Sequence, residues 1–307
     1  MANSNPLPVV CLAGPTGTGK TAMALDLAEA LGGEVINADS RQVYADFPVI
    51  TAQPADAERA RCPHHCYAFL PTDQKTSAGR WAKAACEAAR AALSRGRTPL
   101  LVGGTGLYFQ TLLRGMAEIP AADPAVSAAL GARLADEGLP SLRGELVRVD
   151  AAYAARVHPN DRQRILRALE VFYSTRRPFS WWHAHAGSRA LCVGPLIVLD
   201  SGLEALTPRL ALRIDRMIAD GAFEEVRRAM IVCPDTAAPG WSCIGAVEAL
   251  ACLQGKISQG ECARLWLKNT RAYAKRQLTW FRARIEARFV ALGDTAAALA
   301  LARGRGF

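Results

Sequence analysis

Gly14-Pro15-Thr16-Gly17-Thr18-Gly19-Lys20-Thr21 is the stretch on which the fold turns. Its fixed positions spell G-x-x-x-x-G-K-[ST]. The apolar run Pro8 to Ala13 precedes it and the segment Lys20 to Leu31 follows. The first run reads as a buried strand; in the second, Ala24, Leu27, Ala28 and Leu31 share one helical face. Strand, glycine loop and helix in that order form a phosphate cradle, a P-loop. Backbone N–H groups wrap a diphosphate at the positive end of a helix, the lysine adds a point charge, and the Thr21 hydroxyl can ligate Mg2+. Gly14, Pro15, Thr16, Gly17, Thr18, Gly19, Lys20 and Thr21 are therefore candidate diphosphate contacts, and Thr21 the candidate metal ligand.

Outward from the loop the alternation continues. Gly32-Gly33 stops the helix, and Glu34 to Ala38 reads as a second strand. A helix is expected from about Ser77 to Ser94, then a third strand at Pro99 to Val102. Strands alternating with helices imply a parallel sheet covered on both faces. From Ile119-Pro120 to about Arg189 the chain is rich in Ala and Arg and reads as several short helices. The strand pattern returns once, at Pro195 to Leu199, before long helices to the end, with a loop at Thr236 to Gly240. The expected fold is α/β, a P-loop NTPase-like parallel sheet flanked by helices. Residues 1–115 and 191–307 would form the core and 116–190 an inserted, mostly helical subdomain.

Bulk properties narrow the setting. Among 307 residues, 37 Lys+Arg stand against 28 Asp+Glu, a formal +9, which favours a polyanionic partner. No basic segment followed by an apolar core opens the chain, and Leu7 to Ala13 is too short to span a membrane. Nine scattered cysteines are expected of reduced thiols, so a cytoplasmic enzyme with no membrane partner is the reading.

The loop binds phosphate without saying which. The motif is shared with ATP-binding proteins, but a nucleotide hydrolase also wants an acid at the end of a buried strand. Leu100 to Val102 runs instead into Gly103-Gly104-Thr105. Asp200, after Ile197-Val198-Leu199, could imitate the missing acid or cap the next helix. Asp39, in Ile36-Asn37-Ala38-Asp39-Ser40-Arg41-Gln42-Val43-Tyr44, follows the second strand and should face the crevice where strand ends converge. There it could act as a base or hold a group that itself ligates the metal; equally, Asp39 or Ser40 could cap a helix.

These segments together resemble the tRNA dimethylallyltransferases (tRNA isopentenyltransferases) of bacterial type, over nearly the whole chain. The resemblance is carried by residues 14 to 21, Asn37 to Tyr44, Pro63-His64-His65 and Leu101 to Phe109. It is most specific in His158-Pro159-Asn160-Asp161-Arg162-Gln163-Arg164-Ile165-Leu166-Arg167-Ala168-Leu169-Glu170, and it closes with Ala274 to Arg282. The resemblance implies alkyl transfer: dimethylallyl diphosphate sits in the P-loop with Mg2+. The acceptor is the exocyclic N6 amine of the adenosine 3′ of the anticodon, in tRNAs reading UNN codons. Asp39 matches the family's general base, and Thr105 a residue assisting near the transfer site. Asp39, Ser40, Arg41, Gln42 and Thr105, and Gln163, Arg164, Ile165, Leu166 and Arg167, match tRNA contacts. Arg213 and Arg216 resemble an Arg pair of which one clamps the diphosphate. The partners implied are the anticodon stem-loop of tRNA and dimethylallyl diphosphate, bound by a monomer.

The chemistry agrees with that assignment. Lys20, the loop amides and Mg2+ would stabilise the departing diphosphate, and a carboxylate taking a proton from the adenine amine contributes about 10²–10⁴-fold. Arg264, Lys268, Arg271 and Lys275 fall on one helical face, offering contacts to RNA phosphates. Trp266, Tyr273 and Trp280 recur on a neighbouring stripe, read as core packing rather than base stacking.

Two places depart from the family pattern. Ile244-Gly245-Ala246-Val247-Glu248 lacks the aromatic and the basic residue of the usual run, and Ser127 stands where an Arg commonly follows Asp123-Pro124. Cys62-Pro63-His64-His65-Cys66 invites a zinc reading, but its ligands are too crowded for an ordinary knuckle. The rival activities are an adenylate (AMP) isopentenyltransferase and a small-metabolite P-loop kinase. A rival of another class is an RNA-binding protein with a dead site.

Overall fold

The computed structural model describes residues 5–304; Met1–Ser4, part of the N-terminal segment read for targeting signals, lie outside the described residues. The chain divides into two compact units, Met1–Arg114 with Ala190–Phe307, and Gly115–Arg189.

The larger unit is built on β2 (Val10–Ala13), which follows the short β1 (Leu7–Pro8) and leads through the glycine loop into α1 (Lys20–Leu31) and β3 (Gly33–Asn37). Two single turns, α2 (Pro48–Thr51) and α3 (Asp56–Arg59), precede β4 (His64–His65). Then come α4 (Ala78–Ser94), β5 (Thr98–Gly103) and α5 (Gly106–Arg114). After the second unit the chain returns with β6 (Cys192–Val193) and β7 (Leu196–Leu199). It goes on through α10 (Leu203–Ala219), α11 (Ala222–Val232), α12 (Ala246–Leu253) and α13 (Gln259–Arg282) to β8 (Ala287–Val290) and α14 (Thr295–Arg303).

Six strands form one parallel sheet in the order β4-β3-β5-β2-β7-β8, and β1 pairs with β6 beside it. Residues of β2 and β3 are buried throughout; β2 reads as a continuous apolar run, whereas β3 places the polar Glu34 and Asn37 on either side of Val35-Ile36. Alternate residues serve opposite faces. Val10 and Leu12 pack with Met23, Leu27 and Ala298 of α1 and α14; Cys11 and Ala13 pack with Trp81, Phe109 and Phe281 of α4, α5 and α13. A third core joins Phe47, Ile214, Met217, Trp241 and Trp266.

The smaller unit contains α6 (Pro124–Val149), α7 (Ala151–Ala154), α8 (Arg162–Thr175) and α9 (Phe179–His185) around Leu130, Leu142, Leu146 and Leu169. The expectation of several short helices is modified here: α6 runs 26 residues, but Gly138, at φ 79°, breaks its helical geometry two residues before Pro140.

Other expectations need correction. After the insert the strand pattern returns not once but three times among the described residues, as β6, β7 and β8. Both β6 and β8 are short, and β8 exposes Arg288 and Phe289 at the sheet edge, so neither has the apolar run that marked β7. The segment Thr236 to Gly240 ends not as plain loop but in a 3-10 turn over Pro239–Ser242. Asp200 neither caps α10, whose N-cap is Gly202, nor lines the cavity described below. Its Oδ1 accepts from the Gly202 N–H at 2.8 Å, and its Oδ2 from Nε and Nη2 of Arg282 at 2.8 and 2.7 Å.

Candidate active site

The carboxyl ends of β2, β3 and β5 meet at one cavity of about 430 Å³ in the larger unit. On the β2 side, Gly17 and Gly19 hold φ of 86° and 80°, the left-handed region where a side chain would be strained. This turn directs the loop back onto the N-terminus of α1, the favourable place for an anion. Thr16, Gly17, Gly19, Lys20 and Thr21 line the cavity. Gly14, Pro15 and Thr18 do not; they are buried beneath, where the Thr18 hydroxyl donates to Pro15 O at 2.9 Å.

Lys20 Nζ donates to Pro15 O at 2.7 Å, and burial pulls its pKa down to about 8, against an upward pull from Asp39. Arg213, from α10, shares the cavity, and its pKa is likewise lowered by burial and raised by Asp39. Lys20, Arg41, Arg213 and Arg276 line the space against one carboxylate, Asp39. Lys20 and Arg213, held at a desolvation cost beside a single acid, make an anion the matching ligand. Arg216 is not part of this: it is exposed on α10, and of the expected Arg pair only Arg213 reaches the cavity.

Asp39 stands in a turn rather than at a helix cap. Asn37 Oδ1 accepts from the Asp39 N–H at 2.8 Å, and Asp39 Oδ1 accepts from the Arg41 N–H at 2.9 Å. No helix follows at this point of the chain. The Thr105 hydroxyl accepts from the Ser40 N–H at 2.9 Å and contacts Ser40 Oγ at 3.2 Å, tying the turn to the end of β5. Thr105 and Ser40 thus stand behind the cavity wall, while Asp39, Arg41 and Gln42 form part of it. Gln42 Nε2 bonds to the carbonyls of Thr51 and Ala52, and Arg41 Nη1 to Ser242 Oγ.

The missing acid at the end of β5 has a steric explanation. A Cβ on Gly103 would lie 2.1 Å from the backbone carbon of Ala38, so the close approach of β3 to β5 leaves no room for a side chain.

The far wall is apolar. Ile50, Ile214, Met217 and Trp266 line it and belong to the third core. Tyr67 and Tyr273 add phenols whose pKa values are raised first by burial and then by the Asp39 charge. Sequence reasoning missed Tyr67 and took Tyr273 and Trp266 for packing. Trp266 does pack at 2 % exposure, but the two residues also line the cavity, at the helical spacing of the stripe already noted. Trp280 packs against the core and lies under Arg284.

The remaining expected residues lie in the smaller unit. Gln163 and Arg164 are exposed on α8, and Leu166 and Arg167 are half-buried. Ile165 is fully buried among Leu130, Leu142 and Leu146, so its side chain is withdrawn from any RNA. Of the departures from the family pattern, Ala246 is buried, Val247 is exposed, and Ser127 lies in the first turn of α6. In the histidine motif, His65 Nε2 pairs with Glu34 at 2.7 Å, and His64 Nδ1 contacts Cys62 O at 2.8 Å.

A parallel α/β core with a glycine loop after its central strand, facing a carboxylate from a neighbouring strand end across a cationic cavity, defines a P-loop group-transfer architecture. The chain belongs to the IPP transferase family: that family's model matches residues 42–284, and a model described as isopentenyl transferase matches residues 7–63. The chain is 66% identical over 284 residues to the tRNA dimethylallyltransferase of Desulfovibrio desulfuricans, covering 92% of this chain and 88% of that one. It is 56% identical over 285 residues to the enzyme of that name from Nitratidesulfovibrio vulgaris, covering 91% of each. Among solved structures it resembles the full-length tRNA isopentenylpyrophosphate transferase of Bacillus halodurans (TM-score 0.65, 30% identity, 93% and 90% coverage). It also resembles a eukaryotic dimethylallyltransferase acting on tRNA (TM-score 0.81, 28% identity, 97% of this chain and 77% of that one).

Proposed function

We propose that this protein transfers a dimethylallyl group from dimethylallyl diphosphate to the N6 amine of the adenosine 3′ of the anticodon, in tRNAs reading UNN codons. The observation that carries the reading is one cavity holding Lys20 and Arg213 beside the loop amides, Asp39 beside them, and an apolar wall opposite. The cations and amides suit a diphosphate, the apolar wall suits a five-carbon prenyl group, and Asp39 suits a proton acceptor.

In the reaction the allylic C–O bond breaks with its electron pair leaving on the diphosphate. N6 forms the new bond to carbon, and its proton passes to Asp39. Lys20 and Arg213 hold the departing charge, and the buried setting strengthens that hold. Thr21 and Asp39 put a hydroxyl and a carboxylate on the cavity wall, the hard oxygen donors that suit Mg2+. Thr21 would hold the ion, and bound Mg2+ supplies charge neutralisation to the diphosphate. The adenine has to leave its stack to reach such a cavity. On the larger unit the exposed cations Arg264, Lys268, Arg271 and Lys275 of α13 offer contacts to phosphates of the anticodon stem-loop; on the smaller unit, by itself, Gln163 and Arg164 of α8 are exposed for RNA.

Nine unpaired cysteines are in keeping with the cytoplasm, and no helix of the described residues is long and apolar enough to cross a membrane. Radiolabelled dimethylallyl diphosphate offered to unmodified tRNA reading UNN codons tests the reading, with free AMP and Mg2+-free reactions alongside. Mg2+-dependent label in tRNA alone is expected; label in AMP, or none in either acceptor, overturns it.

A further inference from the structure

Gln277 lies on α13 with 5 % of its surface exposed, and both ends of its amide are engaged. Its Oε1 accepts from the Thr16 N–H of the P-loop at 3.0 Å, and its Nε2 donates to Gly104 O, just past β5, at 2.9 Å. A primary amide offers an acceptor and a donor side by side at that reach whatever the pH, which a carboxyl does only when protonated. The backbone is shaped to receive it: a Cβ on Gly104 would lie 2.1 Å from Nε2 and 3.2 Å from Gly14 O. The same helix face docks again three residues on, where a Cβ on Gly106 would lie 2.2 Å from the Trp280 ring.

The two loops that Gln277 joins serve opposite partners of the reaction proposed above, and the inference rests on that reading. The P-loop holds the diphosphate of the donor. The Gly103–Thr105 turn holds, through the Thr105 hydroxyl, the Ser40 amide next to Asp39 on the acceptor side. The geometry points to Gln277 as a positioning residue that sets the spacing between the donor cradle and the base-bearing turn. Gln277 does not line the cavity; it fixes the P-loop backbone at Thr16, which does, and the backbone of Gly104, next to Gly103, which also does. Misplacing reacting groups by about 1 Å costs on the order of 10²-fold in rate.

The test uses the full chain with Gln277→Met, which keeps the length and removes both bonds, and Gln277→Glu. Wild-type transfer of dimethylallyl to tRNA is the control, and its failure would overturn the proposed function rather than this inference. Binding of inorganic diphosphate with Mg2+ is measured by calorimetry, transfer by single-turnover kinetics, and folding by thermal melting. Gln277→Met is expected to lower the transfer rate about 10²-fold while diphosphate affinity and the KM for tRNA change less than about threefold. A protonated Glu at 277 reproduces the amide's donor and acceptor; an ionised one sets a negative charge against Gly104 O. The Gln277→Glu rate, as a ratio to wild type at each pH, should therefore recover toward acid and fall toward neutrality. Equal loss of binding and rate in Gln277→Met, or a lower melting temperature with wild-type rate per folded molecule, overturns the inference. A flat Gln277→Glu ratio does the same.

Discussion

The loop after β2 is shaped by its glycines, whereas the turn after β3 is shaped by side chains. Gly17 and Gly19 take backbone conformations that would strain other residues, and the loop offers its ligand amides and the point charge of Lys20. The Asn37–Gln42 turn contains no glycine and is held by Asn37 Oδ1, Asp39 Oδ1 and the Thr105 hydroxyl, each accepting a backbone N–H. A device made of backbone tolerates changes that preserve its curvature. A device made of side chains tolerates changes that preserve its acceptors. The two therefore fail differently, and Asp39 is exposed to both kinds of failure, since one oxygen shapes the turn while the group faces the cavity.

Asp39→Asn separates these roles and carries the largest expected effect. The amide oxygen can still accept from the Arg41 N–H, so the turn survives while the basic oxygen is lost. Transfer should fall about 10²–10⁴-fold, with diphosphate binding retained and the melting temperature unchanged. Wild-type rates in this variant would reduce Asp39 to a turn residue and break the comparison.

On the P-loop side the corresponding probes are the cations. Arg213→Ala should weaken diphosphate binding and slow transfer by about 10–10²-fold, whereas Arg216→Ala, exposed and outside the cavity, should change either by less than about twofold. Equal effects would mean that the helix α10 presents a different face to the ligand.

Lys20 gives the P-loop side a pH signature. Its pKa in the folded protein is drawn down from 10.5 to about 8, chiefly by burial. The free protein therefore gives up this charge as pH rises through about 8, and the affinity for inorganic diphosphate should fall over the same range. Lys20→Arg, which keeps its charge, should flatten that fall although it fits the cradle less well. For stability the sign is opposite. Between about 8 and 10.5 the unfolded chain holds the proton that the folded chain has released, so this group makes the folded state more stable as pH rises through that window. Calorimetric titration and denaturant melts across it measure the two trends.

The same difference explains what could be read from the sequence. Glycine-coded backbone is visible in residues 14 to 21 and its helix was bounded as Lys20–Leu31, because φ > 0 leaves few alternatives to glycine. Ser77 and the helix after it were equally plain, the serine side chain accepting from the Arg80 N–H as an N-cap. Asp39 could not be told from a helix cap, because what makes it a cavity residue is the absence of a helix after it and the distant Thr105 at the end of β5. Tyr67, Arg276 and Gln277 reach the site or its walls from far along the chain, and no local spacing reports such a meeting. The family resemblance named Asp39, Thr105 and the Arg pair, but choosing Arg213 over Arg216 required the face that α10 turns inward. Edge strand β8 is not legible because its two central residues, Arg288 and Phe289, are exposed and leave no apolar run.

The smallest effect is expected at a motif whose histidines looked like chemistry. Glu34 sits at 3 % side-chain exposure at the opposite end of β3 from Asp39, and its carboxylate is held low in pKa first by Arg95 and then by His65. A carboxylate of depressed pKa contributes stability above its ordinary 4.5 and loses it as pH falls below that value. His65→Ala removes one of these partners and leaves Arg95 in place. Stability at neutral pH should drop by about 1 kcal/mol, with transfer unchanged. A chelator should leave the melting temperature of the wild-type protein where it was. A loss of transfer in His65→Ala would instead mean that the far end of β3 communicates with the turn that carries Asp39, and the contrast between the two strand-end loops would have to include the strand between them.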